Sequence, residues 1–286
     1  YFDGDLLQLN ENFNKKKFDV IISTKKIYNT RYGAIKEKNN IIQEFDNCTK
    51  KKRSNINLGT YIVKKNILKK FKKEPLSFEN DILPILVKKK KVQCSFFPKN
   101  FFLDIGVNSD LKKAKYILPK IKYPTVFLDR DGVINKDTGY VSQIEKFNFT
   151  KNIFKIIKYF NRNNFLVFIA TNQSGIGRGY YTEKTMKKLH NWMLKQFEKK
   201  FLRIDEIFYS PYYKSSKKYS SKFYFDLRKP NVGMYKQAIK KWPIDKKKMI
   251  MIGDKIVDYN FGVKIKAKTI IVNENLDMFK QIKKFL

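Results

Sequence analysis

From about Pro124 onward, short apolar runs alternate with longer segments whose apolar residues recur at helical spacing. Residues 125–129, 165–171, 204–209, 249–254 and 268–272 predict strands buried on both faces, as in a sheet covered by helices on each side. Residues 152–161, 182–200, 232–242 and 256–263 predict helices, with Thr182 and Asn231 placed to cap the second and third. This alternation specifies a parallel sheet, and in such sheets ligands gather beyond the carboxyl ends of the strands. Pro119 and Pro124 bracket a short basic stretch that reads as a linker. The expected organisation is a first domain over 1–117, a linker at 118–123 and an α/β domain over 124–286.

Composition narrows the class. A hydrophobic content of 42% supports packed cores rather than disorder. No apolar run approaches the ~20 residues that cross a bilayer, and the opening residues do not read as a signal peptide. The expected location is the cytoplasm, with no membrane partner. Two cysteines, Cys48 and Cys94, cannot build a disulfide framework. The formal net charge is +36, from 62 Lys and Arg against 26 Asp and Glu. Only seven of those cations are Arg, the side chain whose planar fork reads phosphates and bases bidentately. The lysines are scattered, with short runs at 15–17, 50–52 and 88–91, beside abundant Asn, Ile, Phe and Tyr, as an AT-rich coding sequence gives. The charge points to attraction of an anionic substrate and argues against nucleic acid as the partner.

The chemistry sits at the ends of the predicted strands. Asp129 and Asp131 are two apart, so extended backbone directs both to one side, and Gly132 permits a sharp turn. Carboxylates this close repel, and a magnesium ion held by carboxylate and carbonyl oxygens relieves the repulsion. One carboxylate can attack phosphorus while the other handles the leaving-group proton. By itself the pair also matches an ordinary acidic strand-to-turn junction. Three further strand ends decide between these readings. Thr171, Asn172 and Gln173 offer a hydroxyl and two amides to phosphoryl oxygens. Arg228 and Lys229 precede a helix start, where backbone N–H groups also favour anions. Asp254, Lys255 and Asp258 form a second charged cluster. Nucleophile, clamp, cation and metal ligand in succession are the parts that phosphoryl transfer requires. His190, the only histidine, falls inside a predicted helix and reads as packing or surface. Glycines 175, 177 and 179 follow the second strand rather than the first, which suits a substrate loop better than a dinucleotide fingerprint.

The strings Phe127-Leu-Asp-Arg-Asp-Gly-Val-Ile-Asn135, Gly139-Tyr-Val141, Ala170-Thr-Asn-Gln-Ser-Gly-Ile-Gly-Arg-Gly179, Arg228-Lys-Pro230 and Ile252-Gly-Asp-Lys255 carry a resemblance over about 124–275. They resemble the haloacid dehalogenase superfamily and, within it, the D-glycero-D-manno-heptose 1,7-bisphosphate 7-phosphatases. The resemblance implies a Rossmann-like domain with Asp129 as nucleophile and Asp131 as general acid/base. It implies that Asp129, the Asp131 carbonyl and Asp254 hold Mg2+. Thr171 and Lys229 would bind the transferring phosphoryl group. Asn172, Gln173, Arg228 and Lys255 would orient a phosphorylated sugar or support the site, with Asp258 as a supporting carboxylate. Many members of this family fold the loop before the Arg-Lys-Pro motif around zinc. Here Ser210, Tyr212, Phe225 and Leu227 stand at the corresponding positions and none is a usual zinc ligand. No zinc site is expected, and Tyr212, Tyr213, Tyr219, Phe223, Tyr224 and Phe225 are expected to order the loop instead. Histidinol-phosphate phosphatases and nucleic-acid 3′-phosphatases, the latter sharing a Thr-Asn-Gln loop, are the alternative readings.

The first 117 residues are less explicit. Gly4-Asp5, Arg31-Tyr32-Gly33, Asn55-Ile-Asn-Leu-Gly-Thr-Tyr61, Phe78-Glu79 and Asp104-Ile-Gly-Val-Asn-Ser-Asp110 resemble the latter part of sugar-1-phosphate nucleotidyltransferases of the heptose 1-phosphate guanylyltransferase type. The resemblance implies a partial α/β domain in which Asp5 and Asp104 are metal ligands near a nucleotide sugar. The Gly-rich nucleotide-binding opening of that family is missing, and Asp46-Asn47-Cys48 replaces its Glu-Lys after Phe45. The expectation is a fragment whose start lies upstream, acting as a scaffold without transferring nucleotides. Together the two halves read as an enzyme of nucleotide-activated heptose synthesis, for surface polysaccharide or lipopolysaccharide, with the α-anomer as expected substrate.

Overall fold

A computed structural model describes residues 1–29, 32–46, 52–71, 76–106 and 108–284. Arg31, Asn47, Cys48 and Val107, which figure in the sequence motifs, lie outside the described residues. The chain divides into two compact units, Tyr1–Lys115 and Tyr116–Leu286.

The first unit has strands β1 (Val20–Asn29), β2 (Ala34–Lys38), β3 (Ile41–Asp46), β4 (Lys52–Val63) and β5 (Val92–Phe96). Its helices are α1 (Leu6–Asn12), α2 (Lys65–Leu68), α3 (Leu83–Lys88) and α4 (Asn108–Ile117), the unit boundary falling near the end of α4. The strands close on themselves in the order β1-β4-β2-β3-β5, with β5 returning parallel to β1. Both faces of β1 are covered, which explains its continuous apolar start. Val20 and Ile22 join a cluster with Leu83 and Leu86 of α3, and Ile21 joins another with Leu9 of α1. A cavity of about 970 Å³ in this unit is lined by Asn57, Gly59, Glu79 and Asp104 among others.

The second unit is a five-stranded sheet built from β6 (Tyr123–Leu128), β7 (Leu166–Asn172), β8 (Glu206–Ser210), β9 (Ile244–Gly253) and β10 (Lys268–Ile271). Its order is β10-β9-β6-β7-β8 and every pair is parallel. Helices α5 (Ile153–Arg162), α6 (Ser174–Gly177), α7 (Glu183–Glu198), α8 (Lys222–Leu227), α9 (Gly233–Lys241), α10 (Ile256–Lys264) and α11 (Met278–Lys283) complete it. Side-chain alternation along the strands makes two cores. Val126, Leu128, Val167 and Ile169 pack on one face with Ile157 of α5, Met193 of α7 and Met278 of α11. Phe127, Phe168, Ala170 and Met251 pack on the other with Met234 and Ala238 of α9 and Phe261 of α10. The expected α/β sheet with helices on both faces is therefore present.

Of the two expected helix caps, one is present and one is not. Thr182 does cap α7, accepting from the Thr185 N–H at 3.1 Å. Asn231 does not cap α9: the N-cap is Val232, and the Asn231 amide instead donates to the Phe225 carbonyl at 3.0 Å. Helix α8 packs tightly here, since a Cβ at Gly233 would stand 2.4 Å from the Asp226 carbonyl oxygen. The segment from β8 to α8 is knit by aromatic contacts. Tyr219 is buried with Ile176 and Met186 and meets Tyr224 edge-on at 5.1 Å, while Tyr212 meets Phe225 at 5.2 Å. The Ser210 hydroxyl donates to the Tyr224 carbonyl at 3.1 Å.

Candidate active site

The carboxyl ends of β6, β7 and β9 are neighbours in the sheet, so the residues just beyond them converge. Asp129 follows β6, and its own N–H donates to the Ile252 carbonyl of β9 at 2.9 Å, extending the ladder one residue. The chain then turns: the N–H groups of Ile134 and Asn135 both donate to the Arg130 carbonyl, at 2.8 and 3.0 Å. Gly132 sits in the turn at φ +84°, and a Cβ there would lie 2.3 Å from an Asp254 carboxylate oxygen. Only glycine suits that position, both for backbone conformation and for the approach of Asp254.

Lys229 is the centre of charge. It is 1% exposed, and its ammonium lies 2.9 Å from Asp129 Oδ1 and 2.5 Å from Asp258 Oδ1. Asn172 fixes it from behind: the amide accepts from the Lys229 N–H at 2.9 Å and donates to its carbonyl at 3.1 Å. Both ends of the Asn172 amide are thereby committed to main chain, so in this site Asn172 positions Lys229. Asp258 is also fully committed, its second oxygen accepting from the Lys255 N–H at 3.2 Å. The Lys255 ammonium reaches Asp137 at 2.5 Å and stands 3.7 Å from Asp254.

Asp131 faces a different set of donors. The Arg130 guanidinium holds both its oxygens, at 2.8 and 2.9 Å from one nitrogen and 3.2 Å from another. The Asn135 amide donates at 3.0 Å and the Gln173 amide at 3.1 Å. Gln173 also donates to the Thr171 hydroxyl oxygen at 2.9 Å and accepts from the Tyr181 hydroxyl at 2.7 Å. With its carbonyl oxygen toward the Tyr181 hydroxyl, Gln173 directs its NH2 at Asp131 and Thr171.

Asp129, Asp254 and Asp258 offer oxygens within 4.8 Å of one another, the group of carboxylates among the described residues able to share an ion. Burial, with the charges of Asp258 and Asp131 added to it, pushes Asp129 up to about 7 despite Lys229. Desolvation likewise raises Asp254 to about 6. Asp254 Oδ1 is buried without a hydrogen-bond partner. A divalent, oxygen-preferring cation fits this arrangement, since it supplies the missing partner and relieves the crowding of like charges.

Arg228 stands apart from this core. Its Nη1 is buried without a hydrogen-bond partner, and burial together with the neighbouring Arg178 guanidinium pushes its pKa below the ordinary value. Arg178 lies over the Tyr213 ring at 4.1 Å and 6.0 Å from the Tyr140 ring. Asp5 and Asp104 belong to the first unit. Asp5 caps α1, accepting from the Leu7 N–H at 2.8 Å, and Asp104 accepts from the Gly106 N–H at 2.9 Å beside the cavity. Arg130, Asn135, Arg178 and Tyr181 were not singled out from sequence. The periodicity of a strand assigns position 130 to the face opposite Asp129 and Asp131, and only the turn at Gly132 brings its long side chain back.

Residues 226–284 match the HAD-hydrolase-like family model. The D-glycero-alpha-D-manno-heptose-1,7-bisphosphate 7-phosphatase of Campylobacter jejuni is 42% identical over 167 residues, which span 57% of this chain and 92% of that protein. The D-glycero-beta-D-manno-heptose-1,7-bisphosphate 7-phosphatase of Haemophilus ducreyi is 41% identical over 148 residues, 50% of this chain and 80% of that protein. Among solved structures, the D,D-heptose 1.7-bisphosphate phosphatase of B. bronchiseptica, complexed with magnesium and phosphate, is 23% identical with a TM-score of 0.47, covering 57% of this chain and 87% of that one. No helix among the described residues is long and apolar enough to cross a membrane. With the strand-end cluster of Asp129, Lys229 and Asp254 in place, the chain belongs through its second unit to the heptose-1,7-bisphosphate 7-phosphatase family of HAD-like hydrolases and is a phosphoric monoester hydrolase.

Proposed function

We propose that the second unit removes the 7-phosphate of a D-glycero-D-manno-heptose 1,7-bisphosphate through an aspartyl-phosphate on Asp129. The observation that carries this reading is the ion pair of Asp129 with buried Lys229 at 2.9 Å, next to a second carboxylate, Asp131, held by its own donors. Asp129, the Asp131 carbonyl and Asp254 would hold Mg2+, which when bound neutralises charge on the transferring group. Asp129 attacks phosphorus, and Lys229 and Thr171 meet the phosphoryl oxygens. Asp131 delivers a proton to the departing sugar oxygen, then takes one from the water that cleaves the acyl-phosphate. Arg228 and Arg178, at the edge of the site, receive the remaining phosphate of the substrate. Relatives named for both anomers match at nearly equal identity, so both anomers belong in the assay.

Phosphate release from each heptose bisphosphate, followed by phosphorus NMR, tests the reading. The expected product keeps its anomeric phosphate, and release of that phosphate instead would overturn the assignment. Histidinol phosphate and a 3′-phosphorylated oligonucleotide, run alongside, should turn over far more slowly. Asp129→Asn should abolish turnover because an amide cannot form the acyl-phosphate, and near-native activity in that variant would remove the covalent mechanism. For the first unit we carry the nucleotidyltransferase-type reading as a scaffold that holds a nucleotide sugar in its cavity, with Asp104 at its wall. Calorimetric titration with a GDP-sugar tests it, and absence of binding at millimolar concentration would remove it.

A further inference from the structure

We propose that His190 is a positioning residue for Asp131, acting through Arg130. The proposal rests on the reading of Asp131 as the acid and base of the reaction.

Arg130 is fully buried, one of the largest side chains in the molecule with no exposed surface. A guanidinium has five N–H donors in a rigid plane, so anchoring its far side fixes the edge it presents on the near side. The near edge, Nε and Nη2, is spent on the Asp131 carboxylate, and Nη2 also donates to the Val141 carbonyl at 2.8 Å. The far nitrogen, Nη1, lies 3.2 Å from His190 Nε2. His190 sits on α7, on the turn between Met186 and Met193, and is itself buried. A cation as neighbour allows only one useful tautomer: Nε2 bare and accepting, the ring proton on Nδ1. Burial and the Arg130 charge, which push the imidazole down to about 3, keep the ring neutral in agreement with that geometry. Among the described residues, His190 thus supplies the acceptor that holds the guanidinium plane from behind, and through it the rotation of the Asp131 carboxylate. A hydrophobic side chain in its place would leave a buried N–H without a partner, and the guanidinium would turn to find one.

The test compares His190→Leu, which removes the acceptor, with His190→Gln, whose amide oxygen reaches the place of Nε2. Two substrates are used: the heptose bisphosphate, whose leaving alkoxide needs a proton, and p-nitrophenyl phosphate, whose leaving group departs without one. In rapid-mixing experiments His190→Leu should slow transfer from the sugar phosphate by about 10–100-fold, the scale of losing orientation at an acid–base group. KM should change by less than about twofold, and the first-turnover burst of p-nitrophenolate should stay near the wild-type rate. His190→Gln should restore most of the sugar-phosphate rate. Equal losses with both substrates, or no loss at all, would reduce His190 to a packing residue and overturn the proposal. Asp131→Asn is measured in parallel. If that variant fails to discriminate between the leaving groups, the assignment of Asp131 falls; if it discriminates and His190→Leu does not, the positioning role falls.

Discussion

Replacing Lys229 by Met should expose how the site balances its charge. The ammonium is the buried cation within hydrogen-bonding distance of both Asp129 and Asp258, and Asp254 shares the same small volume. Met keeps much of the stem volume and removes the charge. Breaking a buried ion pair by removing one partner costs about 3–5 kcal/mol, because the remaining charge is left without compensation. For a unit of this size, about 2–4 °C accompanies each kcal/mol, so the transition of the second unit should fall by roughly 6–20 °C. The loss should depend on pH with a definite sign. Asp129 is pushed up to about 7 even with Lys229 beside it, and without the ammonium it should titrate higher still. A carboxyl whose folded pKa is raised binds its proton more tightly in the folded state. Its contribution is fully present below the ordinary carboxylate range and is lost as pH rises through the raised value. Lys229→Met should therefore be closest to wild type near pH 5 and weakest near pH 8. Mg2+ should recover part of the deficit at pH 8, since it replaces the missing positive charge. Scanning calorimetry at the two pH values, in chelator and in excess Mg2+, measures all of this. A variant within 2 °C of wild type at pH 8 in chelator, where the prediction is roughly 6–20 °C, would refute the picture of Lys229 as the charge that keeps the carboxylates together. Activity should fall by about 10²–10³ for the lost electrostatic stabilisation.

Asp131→Asn should slow steady-state turnover of the sugar phosphate by about 10²–10⁴-fold while KM stays near wild type, and a loss under tenfold would remove its acid–base role. Mg2+ binding should displace protons from Asp129 and Asp254, raised to about 7 and about 6, so affinity should climb between pH 5.5 and 7.5 and flatten above. Titration calorimetry in buffers of different ionisation enthalpy reads the released protons, and pH-independent binding without release would contradict the site. Gly132→Ala, at φ +84° and against Asp254, should cost about 1–3 kcal/mol of stability and weaken Mg2+ binding about tenfold or more, whereas unchanged binding would detach Gly132 from the metal site. Elemental analysis of purified protein should find no stoichiometric zinc, and zinc whose removal unfolds residues 210–227 would show that the aromatics are not what orders that loop.

The sheet of the second unit was readable because burial on both faces leaves short uninterrupted apolar runs, and the site was readable because its residues follow those runs directly. Asp129, Thr171 and Asp254 each stand one step from or at a strand end. What lay beyond local pattern was the set of partners. Arg130 looks like a solvent-facing residue between two acids until the Gly132 turn folds it inward. His190 looks like any helix residue, since nothing in a 3.6-residue period marks which flank of α7 meets Arg130. Asn172, read as a substrate contact, spends both amide atoms on the Lys229 main chain, a pairing of residues 57 apart. In the first unit, β1 is buried on both sides but opens into the polar run Ser23-Thr24-Lys25-Lys26, and its partner β5 lies some 70 residues away. A closed sheet assembled from such distant pairs has no short-range signature.

The unpartnered atoms of the site are informative in the same way as its bonds. A protein with 62 cationic residues against 26 acidic ones could have neutralised every carboxylate in this pocket, and for most of them it has. Asp131 is held by Arg130, Asp137 by Lys255, and Asp129 and Asp258 by Lys229. Asp254 Oδ1 is left buried without a donor, and Arg228 Nη1 is left buried without an acceptor. Each such group costs about 1–3 kcal/mol or more, because it has lost water and gained nothing. The two groups have opposite sign: a carboxylate oxygen suits a cation, a guanidinium nitrogen an anion. In the function proposed above, a metal ion would meet the first and a phosphate of the sugar the second, so both groups are placed for contacts made on binding.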